Sequence, residues 1–287
     1  MKGIKVMKKI GFVDLYISEW HANNYPVWFS QINEATGSEY KVAYAWAEQD
    51  VSPLDGVTTA EWCEKFGAEK CETLAELCEK SDCIVILAPS DPEKHLEYAK
   101  VALRYGKRTY IDKTFAPNLG EAEEIFALAN KYKAPIFSSS ALRYATELDA
   151  YDGCRQIDVT GSGSSADEYI VHQVEMVVKK LGIGARAVMA EPIGDRTFFR
   201  IRYDDGRCAT MTYASSALPF TVYMSGGESR AVWKAMKSEF FKLLMADILR
   251  FFDDGVPSFD PNQTLEVMKI REGALKAQDT PCEWIKL

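Results

Sequence analysis

Cys83-Ile84-Val85-Ile86-Leu87-Ala88 is the stretch on which the reading of this chain turns. Six residues without a charge, dominated at the centre by β-branched side chains, describe a strand buried on both faces, as the middle of a parallel sheet requires. Working outward, Lys9–Val13, Tyr40–Trp46, Arg108–Ile111 and Pro135–Ser138 read as further strands. Between them Ala22–Thr36, Ala60–Phe66, Leu74–Lys80, Glu93–Tyr105 and Leu119–Lys131 read as helices, with Gly37 and Gly106 where C-caps belong. This alternation predicts right-handed βαβ units wound into one open parallel sheet, a Rossmann-type domain over residues 1–140.

After about Ser140 the rhythm changes to α+β order. One amphipathic helix precedes alternating strands, among them Thr197–Tyr203, Cys208–Tyr213 and Phe220–Met224, with Asp204-Asp205-Gly206 and Gly226-Gly227 as hairpin turns. Two helices close the chain, one striped by Phe240, Phe241, Leu244, Ile248, Phe251 and Phe252, the other over Pro261–Lys276. The expectation is an α+β domain over residues 141–287 built on a mostly antiparallel open sheet. A length of 287 residues suits two such cores.

A net charge of −8 makes phosphate backbones and anionic lipid poor partners and leaves a small molecule as the expected ligand. Seven cysteines, an odd number with no C-x-x-C pair, indicate neither a disulfide framework nor a zinc ribbon. The basic run Met1–Lys9 leads into only Ile10–Val13 before Asp14, too short for a signal core, and no stretch approaches the roughly 18 apolar residues of a membrane span. A cytoplasmic location is therefore expected, with neither nucleic acid nor membrane as partner. His21, His95 and His172 are dispersed and none pairs at H-x-x-x-H spacing, so no metal site is expected.

Lys113, in Tyr110-Ile111-Asp112-Lys113-Thr114, directly follows a predicted strand, at the carboxyl edge where open α/β sheets bind ligands. Around it several segments in register resemble the glucose–fructose oxidoreductase, inositol dehydrogenase and rhizopine catabolism (Gfo/Idh/MocA) family. These are the first strand with Gly11, Leu87-Ala88-Pro89 with His95, Gly106–Lys113 against the pattern G-K-x-V-x-x-E-K-P, Ser138–Arg143, and Thr264–Met268. Asp167–Glu175 resembles the family's D-x-x-x-H-x-x-D helix, with Glu168 and Glu175 as the acids around His172. At about 100° per residue, Glu168, His172, Glu175 and Lys179 share one side and Ile170, Val174, Val177, Val178 and Leu181 the other. Taken alone the polar side also reads as a solvated face with i, i+4 charge support. The resemblance favours a face that lines a ligand cleft.

The resemblance implies hydride transfer between a sugar- or cyclitol-like alcohol and NAD or NADP. His172 would accept the proton, Lys113 would stabilise the same oxygen, and Glu168 would hold the imidazole. Gly11, Val13, Glu48, Pro89 and His95 are the expected cofactor contacts, Glu48 for the ribose; His95 reads equally as a cap. It also implies a homo-oligomer, dimer or tetramer, through the second domain's sheet, where Arg200, Arg202 and Tyr203 alternate with Phe199 and Ile201.

The chain departs from the family at the dinucleotide fingerprint. Laid on Gly11, G-x-G-x-x-G meets Val13 and Tyr16 at its second and third positions, Asp14 brings a carboxylate toward the phosphates, and His21 falls two residues late. Thr114 replaces the proline after the lysine. Two readings follow: an NAD(P)-dependent oxidoreductase with a reorganised phosphate loop, or a non-catalytic sugar-binding or regulatory relative that has lost the dinucleotide.

Overall fold

A computed structural model describes residues 7–287, so Met1–Val6 of the basic run lie outside the described residues. The chain forms two compact units. One runs to Ala116, resumes over Gly120–Ser138 and takes in Leu244–Ser258; the other holds Pro117–Leu119, Ser139–Leu243 and Phe259–Leu287.

The first unit comprises β1 (Lys8–Asp14), α1 (Trp20–Thr36), β2 (Tyr40–Ala47), α2 (Thr59–Phe66), β3 (Glu69–Lys70), α3 (Leu74–Lys80), β4 (Cys83–Ile86), α4 (Glu93–Ala102), β5 (Arg108–Ile111), α5 (Leu119–Tyr132) and β6 (Ile136–Phe137). Its six strands are parallel in the order β3-β2-β1-β4-β5-β6, the doubly wound arrangement with its switch point between β1 and β4. Every residue of β4 is buried, in keeping with its uninterrupted apolar sequence. Gly11 sits inside β1, where a Cβ would come within 2.3 Å of Ser81 Oγ and 2.5 Å of Leu77 Cδ2, so its missing side chain lets α3 press onto the strand.

The second unit contains β7 (Gln156–Ser162), α6 (Ala166–Leu181), β8 (Ala185–Ile193), β9 (Arg196–Tyr203), β10 (Cys208–Ala214), β11 (Thr221–Ser225), β12 (Val232–Ala235), the start of α7 (Phe240–Asp254), α8 (Asn262–Ala277) and β13 (Ile285–Lys286). The strands form one sheet in the order β12-β11-β7-β10-β9-β8-β13, antiparallel at every step except β7 beside β10. Along β9, Phe199, Ile201 and Tyr203 are buried while Arg200 and Arg202 face solvent. Burying each large apolar side chain on the covered face stabilises by about 1.5–3 kcal/mol. The Asp204-Asp205-Gly206 hairpin forms as its sequence predicts, with Gly206 at φ 83°. From Leu244 onward α7 packs in the first unit. There Phe251 meets Phe137 at 5.5 Å between ring centroids, Phe252 meets Tyr40 at 6.1 Å, and Arg108 donates to Phe252 O at 2.6 Å.

No helix among the described residues is long and apolar enough to cross a membrane.

Candidate active site

The carboxyl ends of β1, β4 and β5 bring buried polar groups together in the first unit. Asp14, the last residue of β1, is 1% exposed; its Oδ1 accepts from Leu15 N at 2.7 Å and Ala88 N at 3.0 Å. The second bond pins Ala88 at φ 57°, a left-handed backbone that costs a non-glycine residue roughly 1–2 kcal/mol. Asp14 Oδ2 is buried with no hydrogen-bond partner. Burial, reinforced by the charge of nearby Glu19, holds the Asp14 carboxyl well above the usual carboxylate range.

Five residues separate Asp14 from α1, and Glu19 caps that helix. Its Oε2 accepts from His21 N at 2.7 Å and its Oε1 from Ala22 N. Burial pushes the Glu19 carboxyl up as well.

Asp112, the residue after β5, is fully buried and gathers four donors. His21 Nδ1 donates to Oδ2, Tyr25 OH to Oδ2 at 3.2 Å, Tyr110 OH to Oδ1 at 3.2 Å and Lys113 N to Oδ1 at 2.8 Å. Burial opposes its charge, but His21 and Lys113 outweigh it and hold the carboxyl below the usual range. Lys113 is buried, with Nζ donating to Pro89 O at 3.3 Å; the Lys113–Thr114 peptide is cis. The lysine thus lies at the sheet's carboxyl edge, with Pro89 as its backbone acceptor.

The remaining cofactor candidates are placed as follows. Gly11 and Val13 lie within β1, before the turn. Glu48 stands directly after β2, where Rossmann units hold a ribose, and its oxygens already accept from Lys94 Nζ and Tyr98 OH, both at 2.8 Å. The Lys94 hydrogen bond lowers its carboxyl pKa. His95 is fully buried, Nδ1 3.1 Å from Phe115 O and Nε2 beside Leu87 O. Burial lowers its pKa, so the neutral ring tethers the segments after β4 and β5 through their carbonyls.

In the second unit, α6 carries His172 and Glu168. The apolar face expected from periodicity is buried, and His172 is half-buried with Nδ1 2.7 Å from Ser140 Oγ. Ser140 Oγ also accepts from Leu142 N at 3.3 Å. Glu168 Oε2 accepts from Ser164 Oγ at 3.0 Å. Glu175 departs from the expected cleft-lining face: it is 4% exposed, accepts from Arg143 Nε at 3.0 Å and Ser140 N at 3.1 Å, and burial raises its pKa despite the arginine. Sequence reading missed Glu19, Tyr25, Asp112, Ser140 and Arg143. For Asp112 a signal existed, since it adjoins Lys113 in the quoted motif.

A dinucleotide pyrophosphate in a Rossmann unit rests on bare N–H groups at the start of the first helix, approached across glycines. The turn after β1 begins at Asp14, and the same spacing laid from there meets Asp14, Tyr16 and Glu19, none of them glycine. With a carboxylate already on the amides of His21 and Ala22, the residues present do not fit a pyrophosphate at this turn.

Residues 48–139 match the Gfo/Idh/MocA family, described as an oxidoreductase family with an NAD-binding Rossmann fold. The Escherichia coli (strain K12) protein "Uncharacterized oxidoreductase YhhX" is 39% identical over 56 residues, which span 20% of this chain and 16% of that protein. Among solved structures, UDP-N-acetylglucosamine 3-dehydrogenase GnnA from Acidithiobacillus ferrooxidans superposes with a TM-score of 0.79 at 12% identity, covering 95% of this chain and 98% of its own. Scyllo-inositol dehydrogenase from Lactobacillus casei, solved with NAD(H) and scyllo-inositol, gives 0.76 at 13% identity over 98% and 99%. At such identities the structures speak for the fold. Together with the match over residues 48–139 they agree with the sequence resemblance: over those residues the chain is similar to the Gfo/Idh/MocA oxidoreductase family, and its fold is that of these dehydrogenases.

Proposed function

We propose that this protein is an oxidoreductase acting on a hydroxyl of a small sugar- or cyclitol-like polyol. The observation that carries the reading is the buried Lys113 ammonium at the carboxyl end of β5, held by Pro89 O. As a hydride leaves an alcohol carbon, negative charge grows on the oxygen, and an ammonium beside it stabilises the transition state. An imidazole takes the hydroxyl proton near neutral pH. Lys113 fills the first role and His172 the second, with Glu168, one helical turn before His172, as the residue to hold the imidazole. Ser140 acts as a positioning residue, its hydroxyl 2.7 Å from Nδ1 of the His172 ring. The hydride acceptor in such chemistry is NAD or NADP, and the polyol and NAD(H) in the Lactobacillus casei protein support both classes. Glu48 is the residue for the ribose, with Pro89 and His95 shaping the neighbouring wall.

Incubating the protein with inositols and aldoses plus NAD+ or NADP+, and following nicotinamide absorbance near neutral pH, tests the reading. Turnover on one polyol, lowered about 10²–10⁴-fold by Lys113→Ala and by His172→Ala, is expected. Full activity in both variants would refute the assignment.

The rebuilt turn favours a second reading, a sugar-binding relative without redox chemistry. A polyol that raises the melting temperature with neither nucleotide turned over would select it.

The uncovered face of the second unit's sheet supports a homo-oligomer, dimer or tetramer. Trp233, Tyr223, Asp158, Thr210 and Arg200 form one cross-strand row through β12, β11, β7, β10 and β9, with Trp233 and Tyr223 exposed.

A further inference from the structure

We infer that Glu19 is a built-in competitor for the anion position at the start of α1, so that this protein holds a dinucleotide only weakly unless that carboxylate is displaced.

The first turn of a helix presents N–H groups that its own backbone leaves unpaired, and the helix dipole favours negative charge there. In a Rossmann unit this is the place for the pyrophosphate. Here Glu19 answers both demands from within the chain. Its two oxygens take the amides of His21 and Ala22, and the carboxylate sits at the positive end of a 17-residue helix. A tethered carboxylate competes at high effective concentration against a ligand that must diffuse in. Serine, threonine, aspartate and asparagine are the usual cap residues, and of these serine, threonine and asparagine offer one side-chain oxygen each. A glutamate closing on two amides at once covers more of the helix end than such a single oxygen does.

A second observation, independent of the cap, points the same way. Asp14 stands at the end of β1, where the turn would approach the phosphates, with Oδ1 committed to two backbone amides and Oδ2 buried and unpartnered. The amides of Leu15 and Ala88 at this turn are thus already taken by Asp14 and are not left for a phosphate. Asp112 is a third carboxylate in the cluster, and it is faced by His21, Tyr25, Tyr110 and Lys113. A hydroxyl-bearing, uncharged ligand group suits such surroundings better than a phosphodiester does.

This inference stands apart from the polyol reading, because it is tested by binding and not by turnover. The full-length protein is titrated with NADH, following nicotinamide fluorescence, and with ADP by calorimetry. Glu19→Ser keeps a cap and removes the charge, Glu19→Gln keeps the size, and Glu19→Asp keeps the charge. The expected result is millimolar or weaker NADH binding by the wild type, at least tenfold tighter binding of both NADH and ADP by Glu19→Ser, a smaller gain for Glu19→Gln, and none for Glu19→Asp. Circular dichroism confirms that each variant is folded, and if Glu19→Ser is not, the Gln and Asp pair decides. Micromolar NADH binding by the wild type overturns the inference. So does a folded Glu19→Ser, or failing it Glu19→Gln, that binds no more tightly than wild type.

Discussion

His21 on the first turn of α1 donates through Nδ1 to the fully buried carboxylate of Asp112 beyond β5, and with Tyr25 of the same helix it ties a helix to a strand distant in sequence. Removing one member of a buried ionisable pair leaves the other poorly solvated and costs about 3–5 kcal/mol. Asp112→Asn is expected to lose that much in urea denaturation at pH 7. The folded Asp112 carboxyl lies below its ordinary range, so its contribution is complete above the unfolded value of about 4 and is lost as pH falls through the folded one. The gap between wild type and variant should therefore narrow in acid.

Asp14 behaves oppositely. Burial and the neighbouring Glu19 raise its folded pKa, so in the window above about pH 4 the folded state holds a proton that the unfolded state has released, and stability falls as pH rises. Asp14→Asn removes this dependence while keeping an oxygen for Leu15 N and Ala88 N. Its melting temperature relative to wild type should climb between pH 5 and pH 8 on a scale of buffers; a flat difference would show that Asp14 does not titrate as its burial requires.

Arg143 and Glu175 form a buried pair, and the guanidinium also donates to Gln263 Oε1 at 2.6 Å and lies 3.8 Å from the centre of the Phe259 ring. Arg143→Met alone should destabilise the protein by about 3–5 kcal/mol, since Glu175 is left buried without its partner. The double change Arg143→Met, Glu175→Leu should recover a large part of that loss in chemical denaturation.

Ser140→Ala removes the hydroxyl that fixes the His172 ring. On a polyol that the wild type turns over, kcat is expected to fall on the order of tenfold with KM little changed, the pattern of a contact that matters most at the transition state. The acid limb of the pH–rate profile should shift with it, which a purely structural loss would not produce.

Static light scattering reads the proposed association through the uncovered sheet face. A mass above one 32.3 kDa chain at micromolar concentration is expected, and Tyr223→Glu or Trp233→Glu should return the monomer.

Strands whose residues are nearly all apolar were legible to within a residue or two, because burial on both faces leaves a mark that needs no context. Glu69–Lys70 was not, since a two-residue edge strand made of charges carries no such mark. The helix bearing His172 could be phased from its sequence, and its apolar face is buried as the period demands. Periodicity says only that Glu175 lies off the core face, and whether a polar residue there meets water or an arginine 32 residues away is decided by tertiary packing. The phosphate turn was misplaced for a related reason. Gly11 was the available glycine, but its lack of a side chain serves the contact with Leu77, while the turn itself starts three residues later.

The segment from Leu244 to Ser258, which completes the first unit, has a consequence for biosynthesis. Tyr40 and Phe137 emerge from the ribosome more than a hundred residues before Phe252 and Phe251, the rings they pack against. During that interval an aromatic seam on the nascent domain is open to solvent and to chaperones. An N-terminal fragment ending near residue 140 would keep that seam bare permanently, and would need the distant helix supplied in trans to become soluble.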